Sequence, residues 1–362
     1  MIDDSLMRFE EKVSYSLRSL YKKYGYLPYK MSKFEEYELY IRNKDFLVSD
    51  RVIAFNDTNG KLMALKPDVT LSIIKAGEDI KGVKQKVFYN ENVYRVSEST
   101  HRFKEIMQTG LECIGDIDIY DIYEVITLAA RSLAEISDDF YIEISNMDIV
   151  YFVISSVCDD KKFVSQVLKC ISQKNAHDLK KICEEYSVEF GGYKKISSLI
   201  SLYGEMGEVI EKIKEISDIP QTGDLITLSN LLCNTSLSER IKFDFSALND
   251  INYYNGFVFR GFVKDVFCSV LSGGQYDNMM KKMNRKSSAV GFALYLDRID
   301  DLNRQMPEFD VDYLLIYDNS TDVLKLSNKV NEITASGFTV STQKSIPGKL
   351  RYKELIDLTK EG

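Results

Sequence analysis

The sequence predicts an α+β fold: an antiparallel sheet flanked by helices, with a helical block set into it and a small α/β unit at the end. Three observations carry this. Residues 87–115, VFYNENVYRVSESTHRFKEIMQTGLECIG, read as two strands joined by a polar connection. Strand signals return at residues 241–245, 253–263 and 266–274, followed by helical and strand-like runs. Between these regions, residues 148–238 give helix after helix, with Lys, Glu and Ser on the outer faces. Antiparallel strands interrupted by helices make an α+β fold, not a doubly wound parallel one.

Taken in order, Leu6, Phe9, Val13, Leu17 and Leu20 recur at helical spacing and stop at Gly25, an amphipathic helix with a glycine stop. Residues 26–29 begin a strand, and residues 34–40 form a second amphipathic piece. Residues 52–56 and 62–65 read as strands joined by a turn at Asp57-Thr58-Asn59-Gly60. Pro67 opens a helix that runs to about Ala76 and closes at Gly77. Asp68 or Thr70 could simply cap it, since a short side-chain oxygen satisfies free N–H groups there.

Residues 87–95 and 105–114 form the paired strands, with 97–104 as their connection. Successive side chains on a strand point to opposite faces, so Gln108, Gly110 and Glu112 share one face. An amide, an empty position and a carboxylate suit the floor of a small polar pocket. They also suit a solvated face of an antiparallel sheet. A helix at 120–136 presents Ile122, Val125, Ile126, Ala129 and Leu133 on one face, and residues 140–145 alternate as a strand. Asn255-Gly256 taken alone suggests a tight hairpin turn. A helix at 276–283 and a strand-helix unit, SAVGFALYLDRIDDL, follow. Pro307 marks a boundary, giving a core over 1–308 and a small α/β domain over 309–362, read as strand, helix, strand.

A net charge of −8 argues against nucleic acid as the main partner, because phosphate binding needs clustered Lys and Arg. The acidic start has no apolar run and does not read as a signal peptide, and no 18-residue apolar stretch predicts a membrane span. Six scattered cysteines without a CxxC fit free thiols in a reducing cytoplasm. With only His101 and His177, a histidine-based metal site or a Ser-His-Asp hydrolase is hard to build.

Four stretches in order carry a resemblance: LMALKPDVT, VYRVSESTHRFKEIMQTGLECIG, NDINYYNGFVF, and SGGQYDNMM with AVGFALYLDRI. Together they resemble the catalytic core of class II aminoacyl-tRNA synthetases, specifically histidyl-tRNA synthetase, over residues 1 to about 305. The tail looks like the start of that family's anticodon-binding domain. The resemblance implies a histidine pocket. Asp68 matches the acidic residue on the ligand's amino group, and Thr70 the threonine two places on. Gln108 matches a glutamine at the ligand's backbone end, and Glu112 a glutamate that helps hold the ligand. Tyr253 and Tyr254 match paired tyrosines at the imidazole end. Arg95 joins this set. It and Arg298 match ATP contacts of active members, the alternative being structural ion pairs. Carboxylates facing an ammonium and phenols facing a ring are complementary to a free amino acid.

Other matched positions depart from the synthetase pattern. The family's histidine-specific arginine is Asn249, and the glycine after it is Asp250. A small residue is Tyr295, the second motif's glutamate is Ser97, and the first motif's proline is Ser32. A kept pocket without these residues is similar to the regulatory subunits of ATP phosphoribosyltransferase, which are paralogues of the synthetase. That implies no catalytic residue, metal or cofactor in this chain. It implies L-histidine as effector, a short-form ATP phosphoribosyltransferase catalytic subunit as partner, and a homodimer within a hetero-octamer. The alternatives are a divergent histidyl-tRNA synthetase and a paralogue that binds another amino acid or serves as a scaffold.

Overall fold

A computed structural model describes residues 7–47, 52–97, 100–248, 253–299 and 308–360. The chain divides into two compact units, Met1–Leu302 and Asn303–Gly362; the Pro307 boundary read from the sequence lies outside the described residues.

The first unit is built on a nine-stranded sheet. Its strands lie in the order Leu27–Pro28, Gln85–Val96, Phe103–Gly115, Ser288–Tyr295, Leu271–Gln275, Asn255–Val263, Phe140–Asn146, Ile241–Asp244 and Tyr203–Gly204. Neighbours run antiparallel except at Leu27–Pro28 beside Gln85–Val96 and Phe140–Asn146 beside Ile241–Asp244. The second parallel pair needs a long crossover. The helical block supplies it, running from Met147–Ser155 to Thr222–Cys233, with the short edge strand Tyr203–Gly204 inside it.

Parity decides which face is core. Leu111 and Cys113 are fully buried against the helices Phe9–Lys23 and Ile119–Ala134. The second helix buries Ile122, Val125, Ile126, Ala129 and Leu133, the face expected from its period. Asp118 caps it, accepting from the amides of Tyr120 and Asp121, while the Asp121 carboxylate accepts from the Asp118 amide. Gln108, Gly110 and Glu112 must then face the other way, under the helix Thr70–Ala76.

Several local expectations are corrected. Asn255-Gly256 makes no hairpin turn. Gly256 takes φ +57° inside the strand Asn255–Val263, where the register against Leu271–Gln275 slips between Asn255 and Val258, a bulge. The Asn255 side chain serves the next helix instead, its Oδ1 accepting from the Asn278 amide at 3.1 Å. The strand expected at 266–274 is only Leu271–Gln275, because the chain turns through Asp265 at φ 64°. Residues 34–40 split into a strand, Phe34–Glu36, and a helix, Tyr37–Arg42. Of the helix expected after Ser288–Tyr295, the described part is a 3₁₀ turn, Leu296–Arg298, and residues 300–302 lie outside the described residues.

The second unit holds three parallel strands, Val311–Ile316 flanked by Val340–Gln343 and Tyr352–Asp357, with the helix Val323–Ala335. Its core gathers Leu315, Ile333 and Leu358. The strand Tyr352–Asp357 was not among the expected elements; its exposed Lys353 and Glu354 mask the alternation. No helix among the described residues is long and apolar enough to cross a membrane.

Candidate ligand-binding site

The segment Lys66-Pro67-Asp68 is pinned on three sides. The Lys66 amide donates to the Lys33 carbonyl at 3.1 Å, and the Lys66 carbonyl accepts from the Tyr94 amide at 2.9 Å. Arg95 Nε donates to the Pro67 carbonyl at 3.0 Å. These bonds fix the start of the helix Thr70–Ala76 over the strands Gln85–Val96 and Phe103–Gly115. The capping expectation holds for Asp68, whose Oδ1 accepts from the Leu71 amide at 2.9 Å. It does not hold for Thr70, whose Oγ1 instead donates to Glu112 Oε1 at 2.7 Å.

Asp68, Thr70, Arg95, Gln108, Glu112, Tyr253 and Tyr254 all line one cleft of about 440 Å³, measured out to its mouth. The pocket expectation for the Gln108, Gly110, Glu112 face therefore replaces the solvated one: Gln108 and Glu112 are only 3% and 2% exposed. Three further tyrosines, Tyr89, Tyr276 and Tyr295, complete the wall.

Glu112 is the electrostatic centre. Tyr276 OH donates to its Oε2 at 2.7 Å, so both carboxyl oxygens are held by neutral hydroxyls. Among the described residues no Lys, Arg or His pairs with it, and burial pushes its pKa up to about 8, Asp68 adding to the rise. Burial also raises Asp68, against the Leu71 amide, the Arg95 guanidinium and the Tyr253 hydroxyl. The phenols of Tyr89, Tyr253 and Tyr276 are pushed well above their ordinary value, first by burial and then by these carboxyls, and stay protonated donors. Gln108 Nε2 is buried with no partner among the described residues.

Glycines make the room. A Cβ on Gly291 would stand 1.8 Å from Glu112 Oε2, and one on Gly110 2.2 Å from the Phe292 carbonyl and 2.6 Å from Tyr89 OH. Gly274 lets Tyr254 approach, whose ring lies 4.6 Å from that of Tyr253. Tyr276, the partner of Glu112, was not among the expected site residues. Strand parity through Ser272 and Gly274 puts it on the pocket face, which is the signal that could have found it.

Of the other positions compared with the synthetases, Asn249 and Asp250 lie outside the described residues. Among the described residues Arg298 forms no ion pair. Its guanidinium stacks 4.1 Å from the Tyr295 ring centroid and donates to the Ser269 carbonyl. Among the described residues no group of three or more His, Cys, Asp or Glu stands ready to hold a metal ion.

The cleft offers two carboxyls, one guanidinium, one unpartnered amide and five phenols. It is suited to a small zwitterion with a further hydrogen-bonding group. The family model described as histidyl-tRNA synthetase matches residues 3–299. An ATP phosphoribosyltransferase regulatory subunit from Clostridium novyi (strain NT) is 28% identical over 302 residues, covering 80% of this chain and 72% of its own length. Among solved structures, an ATP phosphoribosyltransferase regulatory subunit/histidyl-tRNA synthetase from Bacillus halodurans superposes with a TM-score of 0.76 at 20% identity, over 97% of this chain and 94% of that one. An ATP phosphoribosyl transferase (HisG:HisZ) complex from Thermotoga maritima contains a chain matching with a TM-score of 0.63 at 20% identity, over 79% of this chain and 97% of that one. At that identity the two structures establish the fold.

Proposed function

The chain belongs to the histidyl-tRNA synthetase family, and on that footing we propose that it is a regulatory subunit of ATP phosphoribosyltransferase in histidine biosynthesis, with free histidine as its effector. The observation that carries the effector is Glu112: a buried carboxyl held, among the described residues, by the hydroxyls of Thr70 and Tyr276, at the end of a cleft that also gathers Asp68, Arg95 and Gln108. A charged carboxylate so enclosed needs a cation or a proton. Histidine brings an ammonium for Asp68, a carboxylate for Arg95 and Gln108, and a ring with N–H donors for Glu112 and the phenols. The relatives' names support an ATP phosphoribosyltransferase catalytic subunit as the partner. The resemblance to the regulatory subunits is the ground on which we infer that this partner is the short form and that the two assemble in the cytoplasm, four chains of each kind, around a homodimer of this chain.

This chain acts as a receptor and carries out no reaction. Asn249 replaces the arginine whose charge serves activation in the synthetases, and Asp250 adds a negative charge beside it. One such electrostatic group is typically worth about 10²–10³ in rate. Titration calorimetry against a panel of amino acids, run beside a histidine-dependent ATP–pyrophosphate exchange assay, tests both halves. Histidine is expected to bind in preference to the others, and exchange to stay at background. Robust exchange by this chain alone would identify a synthetase instead.

A further inference from the structure

The register of two strands gives the pocket a direction. Glu112 lies opposite Gly291, Gly110 opposite Ala293, and Gln108 opposite Tyr295. From Glu112 to Gln108 the strand advances about 14 Å at ~3.4 Å per residue. The Glu112 end is an acceptor end with Thr70 and Tyr276 around it. The middle is cleared by Gly110, Gly291 and Ala293. The far end carries the donors, Arg95 and the unpartnered Gln108 Nε2, and beside Gln108 stands the ring of Tyr295.

That ring is held from behind. The Arg298 guanidinium lies 4.1 Å from its centroid, within cation–π range, and Arg298 donates in turn to the Ser269 carbonyl. The Tyr295 amide donates to the Val270 carbonyl at 2.8 Å. Backbone and side chain are thus both tied to the turn between the strands Asn255–Val263 and Leu271–Gln275. A wall fixed in this way yields little to a longer ligand.

We propose that Tyr295, clamped by Arg298, is the residue that sets ligand length. It admits an amino acid with a free α-carboxylate and rejects one extended through that carboxylate. The inference rests on the amino-acid reading of the pocket and adds the position at which specificity is enforced. The α-carboxylate falls at the donor end because Arg95 and Gln108 Nε2 meet it there, while the Glu112 carboxyl would repel it at the other end. Any atoms joined to it run into the Tyr295 ring.

Calorimetry with three ligands tests this. Histidine is the reference, histidinamide removes the anionic charge with no added length, and the dipeptide histidylglycine adds length while keeping a carboxylate. Wild-type protein is expected to bind histidylglycine at least about tenfold more weakly than histidine, the scale on which a tight pocket rejects extra groups. Tyr295→Ala is expected to raise the ratio of dipeptide to histidine affinity about tenfold and to leave the histidinamide deficit in place. Tyr295→Leu, which keeps apolar cover on the strand, is measured beside it and should move the same way. The wild-type comparison needs no variant to fold. Wild type binding dipeptide and histidine alike, or folded variants with an unchanged ratio, would overturn the length wall alone. Wild type binding neither would overturn the histidine reading and this inference with it.

Discussion

Glu112 has to choose between a proton and a cation. With its folded value at about 8 against an ordinary 4.5, the empty pocket holds the proton at neutral pH. Its contribution to the stability of the unliganded protein is complete below about pH 4.5 and is lost as pH rises through about 8. A ligand N–H or cation at the carboxylate reverses that preference and expels the proton. Histidine affinity should therefore climb between pH 7 and 8, by at most about tenfold per unit, and then level off. Calorimetry in buffers of different ionisation enthalpy should count close to one proton released at pH 7. Glu112→Gln should abolish that release and weaken binding by roughly 1.5–3 kcal/mol, the scale of a hydrogen bond to a charged group. Release unchanged in the variant would assign the proton elsewhere. At this scale the sequence was informative wherever parity and a motif coincided, as at Gln108 and Glu112. Tyr276 escaped because it sits between the end of the strand Leu271–Gln275 and the start of the helix Asp277–Lys282, one residue past the stretch whose alternation places it.

The pocket exists because two strands, Phe103–Gly115 and Ser288–Tyr295, carry glycines at diagonal positions on one face, Gly110 opposite Ala293 and Gly291 opposite Glu112. Gly110 and Gly291 are not turn residues; neither needs a positive φ. What they lack is a Cβ that would strike a carbonyl of the neighbouring strand or the Glu112 carboxyl. Gly110→Ala sets its methyl 2.2 Å from the Phe292 carbonyl, a contact that backbone cannot relieve without parting the strands. Chemical denaturation should show a loss of at least about 1–3 kcal/mol, the usual cost of overpacking. Ala293→Gly, at the position opposite, should fall well short of that loss, and equal losses would contradict the steric account. Elements with a clear period, such as Ile119–Ala134, were readable from sequence because burial follows the period. Asn255-Gly256 misled because the dipeptide that favours a two-residue turn also favours a bulge. Only the partner strand, through Gln275 Oε1 accepting from the Phe257 amide at 2.7 Å, decides between them.

For the whole molecule, regulation requires that the cleft and the catalytic partner feel the same conformational equilibrium. Linkage makes this a symmetrical demand: if histidine changes the affinity of this chain for a catalytic chain by some factor, that chain changes histidine affinity by the same factor. Typical couplings are about 1–3 kcal/mol, or roughly 5- to 150-fold. Two independent titrations should then agree. One measures histidine binding with and without a saturating short-form ATP phosphoribosyltransferase chain; the other measures assembly of the two chains with and without saturating histidine. In the assembled enzyme, histidine should lower phosphoribosyl transfer, and Glu112→Gln should give a complex that forms and turns over but needs far more histidine to be inhibited. Such a variant separates sensing from assembly, since Glu112 is 2% exposed and offers a partner almost no surface. Full histidine sensitivity in the Glu112→Gln complex would place the inhibitory site on the catalytic chain. The cleft described above would then be a relic of the fold and not the sensor.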